Sequence, residues 1–281
     1  MKSEQVITSR DNPFFKRLAK LAASSHQRKA AGLTLLDGVH LIQAYLPLGQ
    51  PESIIVSETG RESREIKRLL AEADGSTGGT GGTGAKMAIT VLSDGLFHDI
   101  SSVRTPTGIM AVVPIPSPGS VRAIKYNDNG KEEFWVLLEA IQDPGNFGSI
   151  LRSAAAAGAS RVYLSDGCAD PWSPKTLRAA MGAHFLLQIY ERSNLAEVAG
   201  IFKGKVIAST LDAGKTLYQA DFAGPVALVF GNEGAGLSKA LLQACMERIR
   251  IPMPGGTESL NVAAAAAVCF FERVRQKKTG G

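Results

Sequence analysis

The chain has 281 residues, 44% hydrophobic and 20% charged, a composition for one large or two ordinary water-soluble domains. No run approaches the ~18 uninterrupted apolar residues of a membrane-spanning helix. The start, MKSEQVITSRDNPFFKRLAK, lacks the apolar core of a secretory signal, so a cytoplasmic protein away from membranes is expected.

The net charge of +5 is not spread evenly. Residues 1–30 hold Lys2, Arg10, Lys16, Arg17, Lys20, Arg28 and Lys29 against Glu4 and Asp11, and the rest of the chain is balanced. A basic segment of this kind either meets a polyanion or is a solvated helix; charge alone leaves both open. Cys168, Cys245 and Cys269 make no CxxC pair. His26, His40, His98 and His184 are scattered, so no metal site is expected.

In chain order, Asn12 and Pro13 read as a helix cap and first turn, with Phe14, Leu18 and Leu21 at helical spacing. LTLLDG and SIIVSE read as strands and VHLIQAYLP and RESREIKRLLAEA as helices; MAITVLS, a helix-like piece with Leu96, Phe97 and Ile100, and GIMAVVP follow, the last run ending a small α/β domain over residues 1–113. Residues 74–84, DGSTGGTGGTG, have no apolar area to bury and read as a mobile surface loop. A phosphate-binding loop would need Lys-Ser/Thr after the glycines, but Ala85, Lys86 and Met87 follow. Residues 114–133 are rich in Pro, Gly and polar residues, as in an interdomain linker.

From Phe134 strands alternate with helices: FWVLLEA, a helix from Asn146 to Ala157, RVYLS, a helix from Pro174 capped by Ser173, HFLLQIY, NLAEVAGIF, KVIAST, PVALVFG, LSKALLQACM, RIRIP and a last helix. That order predicts a parallel sheet covered on both faces over residues 134–281.

Two loops imitate nucleotide sites. Gly231, Gly234 and Gly236 are spaced G-x-x-G-x-G, which is not the dinucleotide order G-x-G-x-x-G. Gly214-Lys215-Thr216 ends like a phosphate loop, but Ser209 stands where the first glycine is required. Other polar residues sit at strand-to-helix corners. Asn146 is placed to cap the helix after it. Arg152 follows Ile150 and Leu151, where burial would demand an anionic partner. Glu233 lies in the glycine loop, and Ser259 and Asn261 at the start of the last helix, where plain capping also accounts for them.

Three stretches, D-P-G-N-F-G-S-I-L-R-S-A, V-F-G-N-E-G-A-G-L-S and I-P-M-P-G-G-T-E-S-L-N-V-A-A-A, resemble in order and spacing the three signature motifs of the SpoU (TrmH-like) branch of the SPOUT RNA methyltransferases. TLLDGVHLIQAYL looks like part of the smaller L30e-like substrate-binding domain that many of these enzymes carry. The resemblance implies a C-terminal α/β domain with a trefoil knot, a homodimer, S-adenosyl-L-methionine as cofactor, and methyl transfer to a ribose 2′-hydroxyl of RNA. Ribosomal RNA is favoured over transfer RNA, because family members acting on transfer RNA often lack a separate N-terminal domain. It implies a polar site of Asn146, Arg152, Glu233, Ser259 and Asn261, and cofactor contacts from Thr210, Leu228, Gly231, Ile251 and Leu260. The competing readings are a non-catalytic RNA-binding protein on the same fold and a nucleotide-dependent oxidoreductase, the latter disfavoured by the glycine order.

Overall fold

The computed structural model describes residues 6–73, 88–119 and 133–279. The Gly/Thr tract and most of the expected linker lie outside these residues. The chain divides into two compact units: Met1–Pro116 with Trp172–Gly182, and Ser117–Pro171 with Ala183–Gly281.

The first unit runs α1 (Pro13–Ala23), α2 (Ser25–Ala31), β1 (Leu33–Asp37), α3 (Val39–Tyr45), β2 (Ser53–Ser57), α4 (Arg64–Ala73), β3 (Ile89–Leu92), α5 (Asp94–Ile100) and β4 (Ile109–Pro114). Asn12 caps α1, its Oδ1 accepting from the Phe14 N–H at 2.9 Å, with Pro13 behind it as the motif predicts. The strands lie in the order β1-β4-β2-β3, antiparallel except for the β2–β3 pair. Phe15, Leu18 and Leu21 of α1 pack with Leu35, Ile55 and Phe97 in one core cluster.

The basic segment is thinner than its composition implies. Arg28 is buried, and its guanidinium donates to the carbonyls of Leu21 and Ala22 at 2.6 and 3.1 Å. It closes the end of α1 and is not offered to a partner. Arg10, Lys16 and Arg17 are exposed and pair with Asp99, Asp11 and Glu52. Such surface pairs contribute only about 0–1 kcal/mol and can be exchanged for phosphate.

The second unit holds β5 (Phe134–Leu138), α6 (Pro144–Ala156) and β6 (Arg161–Leu164). The next helix, α7 (Pro174–Ala180), falls in the first unit and packs on β1. Then come β7 (Gln188–Tyr190), α8 (Leu195–Ile201), β8 (Lys205–Ser209), β9 (Lys215–Thr216), β10 (Val226–Phe230), α9 (Lys239–Ala244), β11 (Glu247–Arg250) and α10 (Val262–Thr279). The seven strands lie in the order β7-β6-β5-β10-β8-β11-β9, every pair parallel. β5 and β10, buried along their whole length, form the centre, as expected of parallel strands. β11 lies between β8 and β9, two strands that residues 210–214 join directly.

Two expectations fail here. HFLLQIY is not one strand: Ala183–Phe185 form a 3₁₀ turn and only Gln188–Tyr190 pair. The Leu186 N–H donates to the Ala183 carbonyl at 3.0 Å, closing a turn with groups a strand would have paired, and the His184 side chain is fully buried there with Nε2 2.7 Å from the Pro171 carbonyl. The sheet is also not fully covered on both faces. Along β6 and β7, Val162, Leu164 and Ile189 are buried, while Arg161, Tyr163, Gln188 and Tyr190 on the opposite face are only half-buried.

Candidate active site

Because all seven strands run parallel, the loops after β5, β8, β10 and β11 emerge at one end of the sheet, where open α/β folds bind ligands. The first of these leads into α6. Its cap is Asp143, not Asn146: the Asp143 Oδ1 accepts from the Asn146 N–H at 2.7 Å. Pro144 suits the first helical position, having a fixed φ and no N–H to orphan, so the cap falls one residue before it. The Asn146 side chain is thereby released for tertiary contacts.

Those contacts define the site. Asn146 Nδ2 donates to Glu233 Oε1 at 3.1 Å, and Asn261 Nδ2 donates to Asn146 Oδ1 at 2.8 Å. Asn261 also caps α10, its Oδ1 accepting from the Ala263 N–H at 2.9 Å. Capping therefore fixes the orientation of the whole chain of groups. With its oxygen held by the helix, Asn261 must turn its amide N–H toward Asn146, and Asn146 must then turn its own toward the carboxylate. Capping and site-building, alternatives in the sequence, are both true of Asn261.

The loop carrying Glu233 is held from behind. Asn232 and Gly236 exchange two backbone hydrogen bonds of 3.0 Å. Asn232 Oδ1 accepts from the N–H groups of Gly234 and Ala235, and its Nδ2 donates to the Ala140 carbonyl at 2.8 Å. The Ser238 N–H donates to Glu139 Oε2 at 2.7 Å. A Cβ on Gly231 would lie 2.4 Å from the carbonyl carbon and oxygen of Gly236. Gly231 is thus required by the loop's own closure, whatever ligand approaches it.

A cavity of about 760 Å³ opens beside this loop, lined by Asn146, Thr210, Gly231, Glu233, Ile251, Ser259, Leu260 and Asn261, among others. Of the site residues expected from the sequence, only Arg152 and Leu228 are not among its lining. Leu228 is wholly buried in the middle of β10, between β5 and β8. Arg152 is exposed on α6, so it needs no buried anion to balance it. Phe230 and Met253, missed in the sequence, line the cavity too. Met253 carries no local signal, whereas the Asn232 turn was readable from Gly-Asn-Glu-Gly, since Asn bonds its own backbone two residues on.

The cavity suits a nucleoside-sized ligand with a polar tail. Its volume lies within the usual ~300–1,000 Å³ for small-molecule sites. Ile251 and Leu260 supply apolar surface, and the Thr210 Oγ1 is buried with no hydrogen-bond partner among the described residues. The thiols offer no nucleophile: burial pushes Cys245 up to about 11 and Cys269 up to about 12, so both stay protonated.

A parallel sheet with a cavity and an oriented amide–carboxylate chain at its carboxyl end defines a ligand-binding α/β protein. The chain belongs to the SpoU rRNA Methylase family, which matches residues 133–271. It is 32% identical to an uncharacterised tRNA/rRNA methyltransferase of Synechocystis over 96% of this chain and 94% of the relative. It is also 32% identical to the 23S rRNA (guanosine(2553)-2′-O)-methyltransferase RlmP of Bacillus subtilis, over 94% of this chain and 97% of that one. Among solved structures it resembles the SpoU methyltransferase AviRb from Streptomyces viridochromogenes in complex with AdoMet, with a TM-score of 0.77 and 26% identity, covering 95% of this chain and all of that one.

Proposed function

We propose that this protein transfers the methyl group of S-adenosyl-L-methionine to a ribose 2′-hydroxyl of ribosomal RNA. The observation that carries the reading is the Glu233–Asn146–Asn261 chain beside a cavity with apolar walls and an unsatisfied buried hydroxyl. Ile251 and Leu260 would pack on the adenine, Thr210 would satisfy a polar atom of the cofactor, and Gly231 would keep the loop closed at its edge. When bound, the cofactor supplies a methyl group on a positively charged sulfur, already a good leaving group. The protein's task is then mainly alignment and charge control. Asn146, held from both sides, fixes the Glu233 carboxylate, and Ser259 adds a hydroxyl at the rim. The planar guanidinium of Arg152 is built for charge-assisted pairing with phosphate oxygens. It would hold an RNA phosphate and stabilise the forming alkoxide.

Arg152 does not line the cavity, which favours an assembly that completes the site. Val268 and Phe271, three residues apart on one face of α10, are 37% and 50% exposed. We read this face as the contact of a homodimer. We read residues 1–113 as an L30e-like RNA-selecting domain, 114–133 as its linker and 134–281 as the methyltransferase domain, with its C-terminal segment threaded through a trefoil knot. The placement of β11 between two directly joined strands supports the threading.

The deciding experiment follows tritiated methyl from the cofactor into ribosomal RNA, then maps alkali-resistant linkages. Label confined to transfer RNA would move the substrate, and no label in either RNA would refute the activity. Arg152→Lys should reduce turnover at least tenfold, since a point charge lacks the planar fork; near-normal turnover would refute that role.

A further inference from the structure

A second cavity, of about 810 Å³, lies on the other side of the Gly231–Ser238 loop and plays no part in the chemistry above. It is as large as the cofactor cavity and shares a wall with it, since Asn232, Ala235, Gly236 and Leu237 line both. Its remaining walls come from the loops after β5, β6 and β7 and from the first turns of α8 and α9. This is where the strand order reverses: from β5 the chain proceeds outward to β6 and β7, and from β10 it proceeds the other way to β11. That crevice is the usual ligand site of an open parallel sheet, yet the cofactor reading places its ligand elsewhere.

The lining has a definite chemistry. Leu195, Leu237 and Leu241 give it apolar surface, and Glu139, Asp166 and Arg192 bring two carboxylates and a guanidinium. The backbone there is strained. Ala140 and Arg192, both lining the cavity, have φ of 53° and 52°, and among the described residues only Met181 besides them is a non-glycine with positive φ. Strained loops of this kind concentrate where a ligand is held. Carboxylates accept from the amino and imino groups of nucleobases, aliphatic side chains pack on their faces, and a guanidinium takes a phosphate.

We propose that this cavity binds a nucleotide with an amino-bearing base. As part of the RNA substrate, such a nucleotide would be an unpaired neighbour of the methylated one; a free mononucleotide offers the same groups. The RNA source rests on the function proposed above. A nucleotide here would touch the rear of the loop whose front carries Glu233, so its occupancy would report on the reaction site through Asn232 and the bond between Ser238 and Glu139.

The test uses the full-length protein and two variants, Asp166→Asn and Arg192→Gln. Neither side chain forms a hydrogen bond or ion pair among the described residues, so both variants should fold. Binding of guanosine, cytidine and uridine 5′-monophosphates is measured by calorimetry, and methyl transfer to unmodified ribosomal RNA is measured alongside. The expected result is a KM for RNA raised about tenfold in each variant, as loss of a charged hydrogen bond implies. kcat should hold, and S-adenosylmethionine affinity should stay within twofold. If only mononucleotide binding weakens and the RNA KM is unchanged, the source is the free nucleotide and the RNA assignment is overturned. If neither responds to either variant, the cavity is not a nucleotide site. If wild-type protein methylates no RNA but its nucleotide binding depends on Asp166, the proposed function fails and the cavity assignment stands.

Discussion

The two flanks of the Gly231–Ser238 loop are built differently. On one flank Glu233 meets Asn146, and Asn146 meets Asn261, through bonds between side chains that are all at least partly open to solvent. On the other, Asn232 and Glu139 bind backbone groups of the loop and of the β5 corner. The difference teaches a division of labour. Backbone anchoring sets the position of the loop, which leaves the carboxylate of Glu233 committed to nothing but the site. Adjacent residues, Asn232 and Glu233, therefore do unlike work.

This contrast can be broken at its root with Gly231→Ala. The new methyl would sit 2.4 Å from the Gly236 carbonyl group, so the loop must open. A loss of about 3 kcal/mol in urea unfolding is expected, together with loss of cofactor binding. An unchanged midpoint would mean that the loop is not closed as described. Asn232→Ala should come next, at about 1–2 kcal/mol, because three bonds go but water reaches the exposed groups. Both cavities should be affected, so cofactor affinity falls too.

Substitutions on the other flank should separate activity from stability. Asn146→Ala is expected to lower kcat about a hundredfold while shifting stability by less than ~0.5 kcal/mol. Comparable losses in both would show that the chain of groups is structural. Away from the site, a further test concerns pH and the fold itself. Burial holds His184 down at about 4, below its ordinary 6.5, so the unfolded chain takes up a proton first as pH falls. Its contribution to stability is complete above ~6.5 and is lost progressively toward ~4. Thermal unfolding of His184→Gln should flatten that slope while leaving cofactor affinity at neutral pH unchanged.

Much of the architecture was legible from sequence. Asn12-Pro13 and Ser173-Pro174 start helices as local stereochemistry requires, and the order of strands and helices after Phe134 gave a parallel sheet. Most of the site residues named from the motifs line the cavity. These features depend on neighbours within a turn or two, so the chain states them directly. The rest depends on groups far apart. Asn146 and Glu233 meet across 87 residues, and Asn261 and Asn146 across 115. Only the packed sheet brings them within hydrogen-bond reach. The same holds for the burial of Arg28 and Leu228, the docking of α7 on β1, and the second cavity, which exists because four loops from separate strands converge. Sequence determined which groups were available; tertiary structure decided which of them share a wall, because proximity across a sheet follows strand order, and strand order follows the packing of the whole unit.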